Sequence, residues 1–404
     1  MEAQSGGLVT PWNDTRVSLP RHLYVHIPLC RSRCAYCDFF TTTDTGLPEH
    51  AAVVGHTVDL LRGWLTPVVR WSPLETLYIG GGTPTVLGPH LVQLVRSLTA
   101  LIPLASGAEV TVEANPESFT SALGAALAAE GVTRVSVGVQ SLDDAALASL
   151  GRCHDAATAL EALQHGVDAG LDVSADLICG IPGVSAEAWE RSLIGVAEAG
   201  VSHVSVYPLT IEAGTPLARA IAEGTAVAPD EDAVVDGMNA AASILGELGF
   251  ERYEVANYAR PGHRSAHNTA YWTGKPYIGV GGGAHGMVDE AQARALGLAP
   301  DEGGDIGRVR YAYTTHVIPG DQMQPLSSIE HMTHAEAGRE DAMLGMRMTD
   351  GIDEALAERA GVVAALESLV ADGLVRHDGG RWSPTERGWL FGNEIFSRIW
   401  GVVE

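Results

Sequence analysis

Short apolar segments that end in glycine or proline alternate with Ala- and Leu-rich segments between about residues 20 and 250. The apolar segments predict strands over LYVHIP (23–28), LETLYIGGGTP (74–84), VTVEANP (110–116), TRVSVGVQS (133–141), LDVSADLICGIPG (171–183) and VSHVSVYPL (201–209). Helical patterns occupy 48–70, 119–130, 155–169 and 186–199. Strands that alternate with helices at intervals of roughly 25–35 residues are typical of a parallel sheet built from βαβ units.

The number of these units limits the architecture. Six strands are too few for the usual closed barrel of eight. The polar motifs follow the carboxyl ends of the predicted strands, which is the edge where parallel barrels place their chemistry. The sequence therefore predicts an α/β fold with an open, partial (β/α)6 barrel rather than a doubly wound sheet.

The pattern changes beyond about residue 250. A helix over 229–249 leads into ERYEVANYARPGHRSAHNTAYW and a Gly-rich turn, GVGGGAHG (279–286), after which 287–335 is weakly patterned. Three short helical runs followed by DGLVRHDGGRWSPTERGWLFGNEIF then predict helices with a two-stranded wing. The expected organisation is a loose leader over 1–20, a barrel over 21–250, a connecting region over 251–335 and a winged-helix-like α+β module over 336–404.

Composition excludes several classes of protein. Of 404 residues, 46% are hydrophobic, which is too many for a disordered chain. There is no run of about 18 apolar residues and no signal-peptide pattern at the N-terminus, so we expect a cytoplasmic protein without an integral membrane segment. A net charge of −25 disfavours general nucleic-acid binding, because phosphates would be repelled.

Three of the five cysteines lie close together, in the run Cys30-Arg-Ser-Arg-Cys34-Ala-Tyr-Cys37. An odd number of cysteines argues against a disulfide framework, and a short cluster is typical of a metal or redox site. Three thiolates can hold one corner of an iron–sulfur cubane and leave the fourth iron open, although cubanes normally take four cysteines. The aromatic residue before the last cysteine, Tyr36, suits a ligand stacked beside such a cluster. Zinc is the alternative metal, with a fourth ligand from His26, Cys153 or His154.

Glycine and polar residues follow the later strands. The glycines of GGGTP would let the backbone approach a ligand closely at Gly81, Gly82 and Thr83. Carboxylates at a barrel rim can accept hydrogen bonds from ribose hydroxyl or ammonium groups. The candidates on the next strands are Glu113, Gln140, Arg152 and Asp176. Taken one at a time, each could equally be a structural or solvated residue.

With these motifs the chain resembles the radical S-adenosylmethionine (SAM) superfamily. Within it, the chain is similar to the branch that contains oxygen-independent coproporphyrinogen III oxidase (HemN) and the HemW haem chaperones, over roughly residues 20–400. The resemblance implies a 4Fe-4S cluster on Cys30, Cys34 and Cys37, with the amino and carboxylate groups of SAM on the open iron. It also implies SAM contacts from Tyr24, Gly81, Gly82, Thr83, Glu113, Gln140, Arg152 and Asp176.

Three features separate the branches of that family. The oxidase has a fourth cysteine two residues after the third, where this chain has Phe39, and it also has a longer N-terminal extension. The HN-x-x-YW pattern of the HemW branch is matched by His267-Asn268-Thr269-Ala270-Tyr271-Trp272. Neutral imidazole ligates haem iron, so His267 is the candidate haem ligand and His285 in GGGAHG is the second candidate. The alternative is a structural His267 that satisfies buried groups while the two aromatics pack in the core.

The resemblance thus implies a haem chaperone that binds haem and transfers it to an acceptor protein, with an electron donor for the cluster and no catalytic residue. One alternative is the oxidase reaction, the oxidative decarboxylation of coproporphyrinogen III. Another is a radical SAM enzyme with a different substrate. Phe39 and the HN-x-x-YW stretch favour the chaperone.

Overall fold

A computed structural model describes residues 16–43, 46–64, 67–300, 303–314 and 326–401; the first fifteen residues of the predicted leader lie outside these ranges. The strands are β1 (Val17–Ser18), β2 (His22–Ile27), β3 (Leu29–Cys30), β4 (Thr42–Thr43), β5 (Val69–Arg70), β6 (Leu74–Gly81), β7 (Leu104–Ala114), β8 (Arg134–Gln140), β9 (Asp172–Cys179), β10 (His203–Pro208), β11 (Glu251–Arg252), β12 (Asn257–Ala259), β13 (Ile278–Val280), β14 (His285–Asp289), β15 (Arg308–Tyr313), β16 (Leu326–Met332), β17 (Ile352–Asp353), β18 (Val375–Asp378) and β19 (Arg381–Pro384).

The α-helices are α1 (Leu47–Gly63), α2 (Pro89–Leu101), α3 (Ser121–Ala129), α4 (Asp144–Ser149), α5 (Ala156–Asp168), α6 (Ala186–Glu198), α7 (Pro216–Ala222), α8 (Glu231–Glu247), α9 (Ala266–Trp272), α10 (Glu290–Ala295), α11 (His334–Gly345), α12 (Glu354–Arg359), α13 (Val363–Ala371), α14 (Glu386–Leu390) and α15 (Gly392–Trp400). Two 3-10 helices span Pro84–Leu87 and Pro116–Ser118. Within the described ranges, no helix combines the length and the apolar character needed to cross a membrane.

A nine-stranded sheet lies at the centre, in the order β11-β12-β10-β9-β8-β7-β6-β2-β13. The strands from β10 to β2 in that order run parallel, and each coincides with one of the six predicted strands. The two edge strands, β11 and β13, do not pair with each other in the described part of the chain, so the barrel stays open. The predicted α/β partial barrel is confirmed.

Three strands of this sheet carry no clear signal in the sequence. β13 adds to the parallel set beside β2, while β12 pairs antiparallel with β10 and with β11. Each is two or three residues long, which is too short to show a two-residue period. The weakly patterned segment 287–335 also holds regular structure, because β14, β15 and β16 form an antiparallel sheet.

The barrel strands place their two faces in different surroundings. On β2, Leu23, Val25 and Ile27 are fully buried in the main apolar core, which the helices cover. The alternate residues face the interior, where the Tyr24 ring lies 6.0 Å from the Tyr78 ring of β6. Successive side chains of a strand point to opposite faces, so a polar residue at every second position lines the interior. The barrel therefore has a polar interior, unlike the packed apolar centre of a closed barrel.

The C-terminal part of the chain has an apolar core of its own, which includes Met346, Leu366, Trp382 and Ile395. A capping box between Thr333 and Glu336 starts α11, and the hairpin of β18 and β19 follows α13. Three helices followed by a hairpin are typical of a winged helix, and α14 and α15 complete the module. This core supports the predicted module over 336–404, while the domain boundaries stay predictions.

Candidate functional site

The carboxyl ends of the parallel strands surround a cavity of about 420 Å³. It extends from the cysteine loop to Ser265 and Asn268 at the start of α9. All the predicted site residues except Tyr24 and His267 line it, namely Cys30, Cys34, Tyr36, Cys37, Gly81, Gly82, Thr83, Glu113, Gln140, Arg152 and Asp176. These residues are scattered over nearly 150 positions of sequence, and the parallel topology brings them to one site.

The loop with the three cysteines is fixed to the rim at several points. Cys30 ends β3, and its sulfur lies 3.5 Å from the Thr83 hydroxyl. A side chain at Gly82 would place its Cβ 2.5 Å from the Leu29 carbonyl oxygen and 3.0 Å from the Cys30 sulfur. Position 82 therefore accepts only glycine if the loop is to keep this path.

Burial disfavours the free thiolate form of two of the three cysteines. Burial raises the pKa of Cys30, although the hydrogen bond from Thr83 opposes the shift. Burial likewise raises the pKa of Cys37, against a backbone hydrogen bond at Phe39. A coordinated metal deprotonates a thiol outright, so iron would stabilise the thiolates that this environment disfavours.

The donor set fits a cubane better than a single zinc ion. In the described part of the chain, no three His, Cys, Asp or Glu side chains are arranged to hold one metal ion. A cubane does not require this, because each cysteine binds a different iron of the cluster. The histidines considered for zinc are engaged elsewhere. His26 contacts the Tyr24 hydroxyl and the Phe40 carbonyl, both at 3.0 Å, and His154 contacts the Val139 carbonyl at 3.1 Å.

A chain of hydrogen bonds joins the cysteine loop to two strand ends. Arg152 donates from Nη1 to the Cys34 sulfur over 3.3 Å and from Nη2 to Asn115 Oδ1 over 2.6 Å. Asn115 in turn donates to the Thr83 hydroxyl over 2.8 Å, next to Cys30. Sequence reasoning missed Asn115, although it stands two residues after Glu113 in the VEANP motif.

Glu113 and Asp176 give the rim its negative charge. Glu113 accepts from the Tyr78 hydroxyl at 2.7 Å and from the Gly81 amide at 2.9 Å, and burial raises its pKa to about 7. Asp176 accepts from the Ser136 hydroxyl at 3.0 Å, and burial raises its pKa as well. Two half-buried carboxyl groups beside the cysteine loop suit a ligand that carries hydroxyl groups or positive charge.

Gln140 has a strained backbone at the end of β8. Its φ of 66° is the one positive value among the described non-glycine residues. The register between β8 and β9 is also irregular between Val137 and Gln140. Such strain persists where the surrounding structure over-determines it, often at ligand sites, and here it turns Gln140 into the cavity.

Some polar atoms of the cavity wall have no partner. Among the described residues, no group bonds Arg152 Nε, Thr111 Oγ1 or Arg134 Nη1, and all three side chains line the cavity. Buried polar groups usually have a hydrogen-bond partner. The wall thus fits a polar ligand such as SAM, which would supply acceptors.

His267 lies at the other end of the barrel from the cysteine loop. Its ring bonds the Thr76 hydroxyl at 2.7 Å through Nδ1 and the Tyr271 hydroxyl at 2.9 Å through Nε2. The residue is 1% exposed, and burial lowers its pKa to about 3. Both ring nitrogens therefore have partners in the described structure, and the role of His267 as haem ligand stays a prediction.

The start of α9 is held by a buried carboxylate. Glu109 accepts from the amides of Ala266 and His267, both at 2.9 Å, and pairs with Arg134 at 3.2 Å. A negative charge at a helix N-terminus is favourable. Glu109 therefore links the start of the HN-x-x-YW segment to Arg134 on β8. The two ring contacts of His267 are compatible with the structural alternative, a histidine that satisfies buried groups.

Tyr24 is the other predicted residue outside the cavity wall. Its hydroxyl lies 3.0 Å from His26 Nδ1, and its ring lies beside Tyr78. Tyr24 is connected to the rim indirectly, because the neighbouring Tyr78 donates a hydrogen bond to Glu113. Its direct contact with SAM stays a prediction.

Comparisons with known proteins agree with this geometry. Residues 24–193 match the radical SAM superfamily, and residues 332–391 match the HemN C-terminal domain. The chain is 35% identical over 393 residues to the heme chaperone HemW of Mycobacterium tuberculosis, which covers 95% of both chains. It is 36% identical over 279 residues to the heme chaperone HemW of Escherichia coli, over 69% of this chain and 72% of that one.

One solved structure has the same architecture over nearly the whole chain. Coproporphyrinogen III oxidase (HemN) from Escherichia coli, a radical SAM enzyme, superposes with a TM-score of 0.76. The match covers 96% of this chain and 91% of that one, at 20% identity. At this identity the similarity shows a shared fold and leaves the activity open.

Proposed function

Because the chain belongs to the HemW family of the radical SAM superfamily, we propose that it is a haem chaperone that binds haem and transfers it unaltered to an acceptor protein. The observation that carries the proposal is Phe39. Its side chain is 61% exposed and lines the cavity, two residues after Cys37. The oxidase that the chain resembles has a cysteine there. An exposed aromatic ring can pack against a flat porphyrin. Unlike the cysteine of the oxidase, it provides no thiol.

The cofactor set is part of the same proposal. Cys30, Cys34 and Cys37 hold a 4Fe-4S cluster, and SAM occupies the cavity between the cluster and the two rim carboxylates. When both are bound, they supply one-electron redox chemistry fed by an electron donor. Two residues of the chain position the cysteine loop: Arg152 contacts the sulfur of Cys34, and Thr83 contacts the sulfur of Cys30.

The state of the cysteines supports a cytoplasmic location. None of the five cysteines, all of which the structure describes, forms a disulfide with another, including exposed Cys153 and buried Cys179. Thiols persist in reducing compartments, where disulfides are rare. The cluster ligands would be available there for iron.

The test compares two ligands on one preparation. The full-length protein is reconstituted anaerobically with iron and sulfide, then given either haem, or coproporphyrinogen III with SAM and a reductant. We expect about one haem per chain, a Soret band distinct from free haem, and transfer of unaltered haem to an apoprotein. The Cys153→Ala variant is the control for a cysteine near the site.

The oxidase alternative makes the opposite demand. Carbon dioxide and a two-vinyl porphyrinogen would be formed at catalytic turnover, with SAM consumed in step. That product from the second mixture, without stoichiometric haem binding in the first, would refute the chaperone proposal.

A further inference from the structure

We propose that haem binds at the mouth of the cavity with His285 as an axial ligand, on the same rim as the cysteine loop. This rests on the proposed function and adds the site of the cargo. The proposal combines three observations: the position of the GGGAHG turn, the availability of the His285 imidazole, and the exposed ring of Phe39.

The position follows from the sheet. β13 runs parallel to β2, with Val280 opposite Val25, so both strands end at the same rim. A Cβ at Gly281 would lie 2.4 Å from the His26 carbonyl oxygen, and one at Gly283 would lie 3.1 Å from the Phe40 Cβ. The glycines thus let this turn pack directly against the end of the cysteine loop, and His285 follows at the start of β14.

The imidazole of His285 is available to a ligand. Its side chain is exposed, and no group in the described part of the chain bonds its ring. The histidines of the barrel interior all have hydrogen-bond partners: His22, His26, His154, His203 and His267. A neutral imidazole with a free nitrogen is a standard axial ligand for haem iron.

Phe39 and Arg33 are exposed residues that line the cavity, one apolar and one charged. Phe39 precedes Phe40, the residue against which Gly283 packs, and 61% of the Phe39 side chain is exposed. An aromatic ring in this position can stack on the flat face of a porphyrin. The exposed Arg33 also lines the mouth and has donors left for a propionate beyond its bond to the Cys37 carbonyl. A haem bound at the mouth of the cavity leaves the interior of the cavity free for SAM.

The experiment titrates ferric haem into the full-length reconstituted protein and follows the Soret band and the spin state. His285→Ala should bind haem about tenfold more weakly or worse and lose the imidazole-ligated spectrum. Added imidazole should restore that spectrum in the variant, which a merely structural role of His285 would not allow. His334→Ala is the matched control, since His334 is an exposed histidine that bonds Asp305.

A second variant distinguishes the contribution of Phe39 to haem binding from that of His285. Phe39→Ser should weaken haem binding while the type of axial ligation stays unchanged. An unaltered spectrum and affinity in His285→Ala would overturn the proposed site, and loss of the spectrum in His267→Ala with rescue by imidazole would move the ligand there. If the wild-type protein takes up no haem, the proposed function itself fails together with this site.

Discussion

Arg152 donates a hydrogen bond from its guanidinium to the sulfur of Cys34 over a distance of 3.3 Å. The same guanidinium bonds Asn115 and the Gly138 carbonyl, so it ties the cysteine loop to the ends of two barrel strands. The position of the cysteine loop thus depends on its contacts with the barrel rather than on its own sequence alone.

Replacing any one of Cys30, Cys34 and Cys37 by alanine should abolish the cluster, because two thiolates retain a cubane poorly. The wild type should hold about four iron and four sulfide per chain after anaerobic reconstitution. Iron and sulfide assays measure the result. Cys153→Ala and Cys179→Ala should keep full content, and loss of iron in either would show that the ligand set is different.

Loss of a rim carboxylate should weaken SAM. Asp176→Ala or Glu113→Ala removes a charge-assisted hydrogen bond and should cost roughly 1–3 kcal/mol of binding free energy. Equilibrium binding, with the electron paramagnetic resonance spectrum of the cluster as a second readout, gives the measurement. Asp172→Asn is the matched control on the same strand, because Asp172 pairs with His263 instead. Equal affinities in wild type and both rim variants would contradict the assignment.

SAM binding should depend on pH through Glu113. Burial raises the pKa of this carboxyl to about 7, although hydrogen bonds from Tyr78 and Gly81 oppose the shift. Below that pH the group takes up a proton and no longer attracts the positive charge of SAM, so affinity should fall between about pH 8 and pH 6. The Glu113→Gln variant should bind weakly with a flatter profile. A wild-type profile as flat as that of the variant would exclude Glu113 as the titrating group.

The unliganded protein should show the opposite pH trend in stability. A carboxyl whose pKa is raised in the folded state disfavours folding once it ionises. The contribution of Glu113 to the free energy of unfolding should therefore decrease as the pH rises from about 4.5 towards 7. Denaturant titrations of wild type and Glu113→Gln at the two ends of this range isolate the contribution.

Gly82→Ala should displace the cysteine loop, because the new methyl would stand 2.5 Å from the Leu29 carbonyl oxygen. We expect reduced iron content after reconstitution. Gly55→Ala is the control: position 55 lies inside α1 with nothing within 4 Å of an added Cβ. That change should leave the cluster intact and stabilise the chain by about 0.5–1 kcal/mol. Normal iron retention in Gly82→Ala would show that the loop adapts.

Glu109→Ala should destabilise the fold by about 3–5 kcal/mol, since it leaves Arg134 as a buried cation without its partner and uncaps α9. Chemical denaturation gives the difference. The exposed pair of Arg96 with Glu130 offers a comparison, and Glu130→Gln should change stability little. Similar effects of the two substitutions would mean that Glu109 is not the anchor of the HN-x-x-YW helix.

The sequence determined the barrel and most of its site. Strand segments such as 133–141 have a two-residue alternation, and that period decides which residues face the interior whatever the rest of the chain does. The carboxyl ends of parallel strands meet at one edge, so Glu113, Gln140 and Asp176 could be grouped without a structure. The spacing of the cysteines is local as well, and it indicated a metal loop directly.

Only the tertiary structure decided where the two candidate histidines lie relative to the barrel. The sequence ranks His267 before His285 as the haem ligand, because His267 lies in the HN-x-x-YW stretch. The three-residue strand β13 pairs with β2 across more than 250 positions, and that pairing brings the turn before His285 against Phe40 at the end of the cysteine loop. Bonds to Thr76 and Glu109 hold His267 at the opposite end. Pairings between distant segments depend on the free energy of the whole fold, which a short run of residues does not encode.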